Sequence, residues 1–328
     1  MRPRSGVFGG RNRLAGLLAS LFFFLPTFGS AQDARFFDDA WLESKYASAP
    51  SKFVTVDGVR FHVRDEGKGP VLLLLNGHLG SLRMWDAWVR ILSHDLRIIR
   101  IDYAPYGLSG PDPSGDYSTE HAVRLVHGLV QRLQLKKFSI GGTSNGALVA
   151  LFYAIEHPDR VERVVVSTLP AGRPPSRKPS DAMRAAALEV KAQAPFQPRA
   201  FWDAFLHDIM ANDAVIDDAL IDRYFELNNR RGAKAWVDAY IDTQYHLWDT
   251  LDVKEKFGRL RRPILLQWGA DGVVLPEQIG RDVAGLLRAA PVTLKQYRNA
   301  GHLPMIEQPE ATARDALAFL RGAALVSD

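Results

Sequence analysis

The 328-residue chain contains no cysteine, which excludes disulfides, thiolate metal sites and a lipid-modified N-terminal cysteine. Stability must come from a buried core, and the length suffices for one domain with an insertion. A basic surplus is also missing once its source is located. The formal charge is +4, but Arg2, Arg4, Arg11 and Arg13 stand in a first stretch of 31 residues without Asp or Glu, and the remainder balances at 37 basic and 37 acidic side chains. A nucleic-acid partner therefore has no electrostatic support. The apolar run Leu14 to Phe28 falls short of the ~20 residues that span a bilayer. Preceded by four arginines and followed by Gly29-Ser30-Ala31, it has the form of a secretory signal cut after Ala31. The expected location is periplasmic or secreted, with an uncleaved signal anchor or peripheral membrane contact as secondary alternatives. His207 and His246 belong to no constellation of metal ligands, so neither metal nor cofactor is expected.

What is present is an alternation of short apolar strands with longer amphipathic helices. Phe53–Val56 and Val59–Asp65 read as a hairpin around Asp57-Gly58, followed by strands at Val71–Leu75 and Leu96–Ile101. His121–Leu133 carries Ala122, Val126, Leu129, Val130 and Leu133 at helical spacing, as expected of a helix covering a parallel sheet, with Gly128 as a blemish. Later strands fall at Val161–Ser167, Ile264–Trp268 and Val292–Tyr297. The interval 170–262 differs: a proline-punctuated linker leads into Ala-rich and aromatic helices. The predicted organisation is a signal at 1–31, a leader at 32–52, a core at 53–169 and 263–328, and a helical cap at 170–262.

The informative motif is Gly142-Thr-Ser-Asn-Gly146, a G-x-S-x-G sequence between a predicted strand and a predicted helix. A sharp strand-to-helix turn needs unusual backbone angles and close packing, which glycines on both sides permit, and it places Ser144 at a helix start where backbone N–H groups are free. His302, in the loop after Val292–Tyr297, suits the general base for Ser144. Asp271, in the loop after Ile264–Trp268, is the candidate to orient the imidazole.

The order Ser144, Asp271, His302, together with Leu72-Leu-Leu-Leu-Asn-Gly-His-Leu-Gly-Ser81, Asp102-Tyr-Ala-Pro-Tyr-Gly-Leu-Ser109, Trp268-Gly-Ala-Asp271 and Gly301-His302, resembles the α/β-hydrolase superfamily from about Phe53 to Leu320. The similarity is to its capped esterase, lactonase and carbon-carbon bond hydrolase branches. It implies an α/β fold with a mostly parallel central sheet and an inserted helical cap. It also implies an oxyanion hole from the backbone N–H groups of His78 and Asn145. Relatives commonly carry the acid one residue later, where this chain has Gly272, so either the loop is shortened around Asp271 or the acid is displaced or absent. Asp102 and Glu307 are expected to be structural.

The resemblance implies hydrolysis of a carboxylic ester, a lactone or a thioester through an acyl-enzyme. The alternatives are a carbon-carbon bond hydrolase acting on a vinylogous diketone-like acid, for which Asn76, Arg230 and Arg231 are discriminating residues, and a weakly catalytic binding protein on the same fold. Trp202, Phe205, Trp236 and Tyr240 are candidates to line an apolar pocket for a small-molecule substrate.

Overall fold

Leucine-rich and β-branched runs build one eight-stranded sheet in the computed structural model, which describes residues 35–323. The expected signal at 1–31 lies outside the described residues. The strands are β1 (Lys52–Val56), β2 (Val59–Glu66), β3 (Val71–Leu75), β4 (Arg97–Ile101), β5 (Phe138–Thr143), β6 (Val161–Ser167), β7 (Ile264–Gly269) and β8 (Val292–Tyr297), in the order β1-β2-β4-β3-β5-β6-β7-β8. β1–β2 and β2–β4 pair antiparallel; every later pairing is parallel. Strands covered on both faces explain the unbroken apolar runs. Leu72 to Leu75 are all fully buried, each contributing about 1.5–3 kcal/mol relative to an exposed side chain.

Core helices α2 (Asp86–Leu92), α3 (Thr119–Arg132), α4 (Asn145–Glu156), α10 (Glu277–Leu286), α11 (Pro304–Glu307) and α12 (Pro309–Leu320) accompany the sheet. Gly128 costs α3 helix propensity but has a packing reason: a Cβ there would lie 2.4 Å from Val56 Cγ1. Between β6 and β7 stand α5 (Asp181–Gln193), α6 (Arg199–Ile209), α7 (Asp218–Asn228), α8 (Ala233–Thr250) and α9 (Val253–Phe257), the inserted helical subdomain. No described helix is long and apolar enough to cross a membrane.

The leader forms α1 (Asp39–Tyr46), capped by the Asp38 carboxylate on Trp41 N. It is pinned to the turn between α7 and α8: Phe37 N donates to Asn229 O at 3.0 Å, Arg231 N donates to Phe37 O at 2.9 Å, and Lys45 and Tyr46 bond Glu226. Arg230, only 4% exposed, donates to the Asp39 carboxylate at 2.6 and 3.0 Å and to the Ser109 carbonyl at 2.9 Å. A turn whose composition reads as solvated is therefore the joint between leader, cap and core.

Candidate active site

Ser144 sits between β5 and α4 with φ 51° and ψ −124°, a conformation that strains any residue but glycine and holds only when neighbours enforce it. Both flanking glycines are sterically required. A Cβ on Gly142 would lie 2.5 Å from Gly146 O, and one on Gly146 would lie 2.1 Å from Asn76 O. The turn thus presses against the end of β3, where Gly77 approaches Thr143 O and the Ser144 side chain.

A cavity of about 240 Å³ opens over this turn, bordered by Ser144, Asn145, Gly77, His78 and His302. Asn145 opens α4, where its N–H has no intrahelical acceptor. Phe205, Ile209, Tyr224, Trp248, Val274 and Leu275 supply apolar walls, and Arg177 is the cationic wall residue. A second cavity of about 160 Å³ shares His78, Asn145 and Trp248 with the first and adds Tyr240, Ile241 and Tyr245. Among the described residues no group of three His, Cys, Asp or Glu could hold a metal.

His302 is fixed by its backbone. Its N–H donates to Ile209 O at 2.9 Å, and its carbonyl accepts from Thr168 Oγ1 at 3.0 Å. Glu307, 2% exposed, accepts from the N–H groups of Gly301 and Leu303 on either side of it and of Ala211 and Asn212 at the end of α6. Burial, and secondarily the Arg177 charge, push the His302 imidazole down to about 4. Burial and then His302 do the same to His78. Both rings are therefore neutral near pH 7, as a base requires. The Ser144 hydroxyl donates to Asn145 Oδ1 at 3.4 Å, and no hydrogen bond joins it to His302 among the described residues.

The expected orienting contact is not formed. Asp271 is exposed, its carboxylate accepts from Asn299 N at 2.7 Å, and His302 Nδ1 is enclosed without a hydrogen-bond partner. The physical reason is register: Asp271 leaves the strand end pointing to the Asn299 turn, while Gly272 occupies the next position. Other candidates are also redistributed. Asn76 is a scaffold residue, donating to Gly77 O and Gly80 O and accepting from Tyr103 N. Trp202 is fully buried within the cap, and neither Trp236 nor Arg231 borders the two cavities. Arg230 is spent on the leader, as above. Phe205 and Tyr240 do border the cavities.

Tyr240 also accepts from Asn145 Nδ2 at 2.5 Å and lies 3.2 Å from Tyr103 OH, while His78 Nδ1 meets Tyr106 OH at 2.5 Å. Residue type alone did not mark Arg177, Tyr103 or Tyr106. The Asp102–Ser109 segment was recognisable, but its tyrosines carried no visible assignment. Asp102 and Glu307 are structural, as expected. The Asp102 carboxylate holds Leu82 N, Leu108 N and His62 Nδ1.

Comparison with known proteins agrees with this architecture. A sequence family described as alpha/beta hydrolase fold matches residues 70–213. A 2-hydroxy-6-oxo-6-(2'-aminophenyl)hexa-2,4-dienoic acid hydrolase of Metapseudomonas resinovorans is 27% identical, covering 85% of this chain and 92% of its own. A protein of Pseudomonas syringae pv. syringae (strain B728a), provisionally named a carbamate hydrolase, RutD, is 26% identical over 79% of this chain and 97% of its own. Among solved structures, a membrane phospholipase A described as a bacterial virulence factor superposes with a TM-score of 0.71 at 21% identity, covering 87% of this chain and 92% of its own. The strained serine turn, the sheet order and these matches show that the chain has the alpha/beta hydrolase fold.

Proposed function

We propose that the protein is a serine hydrolase that cleaves the carbon-carbon bond of a vinylogous diketone-like acid, a substrate with an apolar body and a carboxylate. The carrying observation is Arg177, a guanidinium in the wall of an otherwise mostly apolar cavity that also holds Ser144 and His302. Asp208 anchors it from behind at 2.5 Å, and its side chain keeps 31% exposure. A planar guanidinium held this way suits a carboxylate. Similarity to a dienoic acid hydrolase supports the same reading.

His302 would take the Ser144 proton as Oγ attacks the ketone carbonyl, and the backbone N–H groups of His78 and Asn145 would receive the oxyanion. Cleavage expels the conjugated enolate, which takes up the proton, and water then releases the acyl group from Ser144. The apolar walls favour a second reading, hydrolysis of an ester or lactone through the same acyl-enzyme.

The test compares the protein with Ser144→Ala and Arg177→Met on a 2-hydroxy-6-oxo-6-arylhexa-2,4-dienoic acid, whose 2-hydroxyl lets the leaving carbon depart as a conjugated enolate, and on neutral p-nitrophenyl esters. Turnover of the acid, lost in Ser144→Ala and with KM raised in Arg177→Met, is the expected result. Turnover of neutral esters alone, indifferent to Arg177, would replace the first reading by the second. Turnover unaffected by Ser144→Ala would remove both.

A further inference from the structure

We propose that the acid position of this catalytic constellation is vacant, at Gly272, and that Ser144 and His302 operate as a dyad on a loop anchored by backbone contacts. This rests on the serine hydrolase reading but not on the bond cleaved.

The first observation is the enclosed, unpartnered Nδ1 of His302, since a buried ring nitrogen without a partner is uncommon and needs a reason. Carboxylates near it are committed elsewhere. Asp271 caps the Asn299 turn at 2.7 Å. Glu307 takes four backbone N–H groups, at 2.7, 2.8, 3.0 and 3.1 Å. Asp208 is occupied by Arg177 and by Ser180 N at 2.9 Å. Of the remaining titratable neighbours, Arg177 cannot accept from a ring N–H while charged, and His78 directs its Nδ1 to Tyr106.

The second observation is where a side chain at 272 would begin. A Cβ on Gly272 would stand 3.5 Å from the carbonyl carbon of Gly301, the residue before His302, and 3.3 and 3.4 Å from Gly269 O and Leu275 O. Its backbone is not left-handed, so an L side chain meets only modest crowding there. The position next to the catalytic loop thus carries a hydrogen atom, and the adjacent aspartate points away. The contacts of His302 N with Ile209 O and of its carbonyl with Thr168 Oγ1 fix the backbone that carries the imidazole. Without that carboxylate, nothing stabilises the imidazolium formed during attack, and turnover is slow.

The test is a histidine-selective NMR titration of His302, with turnover measured alongside, in the wild type, Asp271→Asn, Gly272→Asp and Gly272→Asn. Asp271→Asn is expected to leave the His302 midpoint in place and kcat/KM within about threefold, the range of a surface change. Gly272→Asp is expected to raise the midpoint by about 1–3 units, as an opposite charge in contact does. It should also raise kcat at least tenfold, toward a ceiling of about 10⁴ set by acid removal in a full triad. Gly272→Asn should do neither.

The proposal is overturned if folded Asp271→Asn lowers the midpoint by about a unit or more, because Asp271 would then turn onto His302 in solution. It is equally overturned if folded Gly272→Asp leaves the midpoint unmoved. Should Gly272→Asp not fold, Asp271→Asn decides alone. The titration needs no substrate, so failure of the hydrolase reading would show separately, as absent Ser144-dependent turnover.

Discussion

Glu307→Gln is expected to disturb stability and catalysis together, and the size of the effect follows from its hydrogen bonds. Oε2 accepts from Ala211, Asn212 and Gly301, and Oε1 accepts from Leu303. An amide can place its carbonyl oxygen at only one of these positions. With oxygen at the Oε2 site, the new NH₂ faces the Leu303 N–H, and that bond is replaced by two opposed donors. Bonds to a charged acceptor are worth about 1.5–3 kcal/mol each and roughly half that when neutral. Losing one and weakening three gives a destabilisation of about 4–7 kcal/mol. At about 2 °C per kcal/mol for a chain of this size, Tm falls by about 8–14 °C. Gly301 and Leu303 flank His302, so kcat at 25 °C should fall by about tenfold with KM less affected, the pattern of a misplaced base. Calorimetry and steady-state kinetics check both. A Tm within about 2 °C of wild type with unchanged kcat would refute the claim that this carboxylate sets the catalytic loop.

Three further outcomes are expected. Gly146→Ala should fail to fold natively or lose more than about 4 kcal/mol in urea unfolding, because its Cβ would lie 2.1 Å from Asn76 O; near-wild-type stability would contradict the close contact of turn and strand. His78 and His302, pushed down to about 4, bind protons more weakly folded than unfolded, so stability is retained above pH ~6.5 and declines toward pH 4, by at most about 3 kcal/mol per ring. The acid limb of kcat/KM should accordingly fall near pH 4; a limb near 6.5 would show that burial does not govern the base. Arg230→Met should lower stability by about 1–3 kcal/mol, the cost of leaving the Ser109 carbonyl without its donor while Asp39, 56% exposed, stays solvated, without changing KM; a KM effect at full stability would return Arg230 to substrate binding.

Periodicity located the strands and helices well because a doubly covered sheet writes its burial directly into apolar runs. β3, β6 and β8 begin and end at the residues expected, and the interval 170–262 holds helices, as its composition predicts. Ser144 and His302 were legible for a related reason: a strained turn and a loop glycine constrain residue identity within a few positions. Asp271 was not settled, since a one-residue shift at a strand end redirects a side chain without altering composition. Arg230 carried the composition of a solvated turn, but its partners, Asp39 and the Ser109 carbonyl, lie more than a hundred residues away. Arg177 was hidden in a proline-rich linker for the same reason. Its value comes from the cavity, which only the folded chain assembles.

The central claim is that Ser144 is a nucleophile activated by His302. Reaction with a fluorophosphonate followed by peptide mass spectrometry tests it most directly. The account predicts a single adduct on Ser144, absent in Ser144→Ala and formed at least about 100-fold more slowly in His302→Ala, the lower range of general base contributions. An adduct elsewhere, or an undiminished rate in folded His302→Ala, would contradict it.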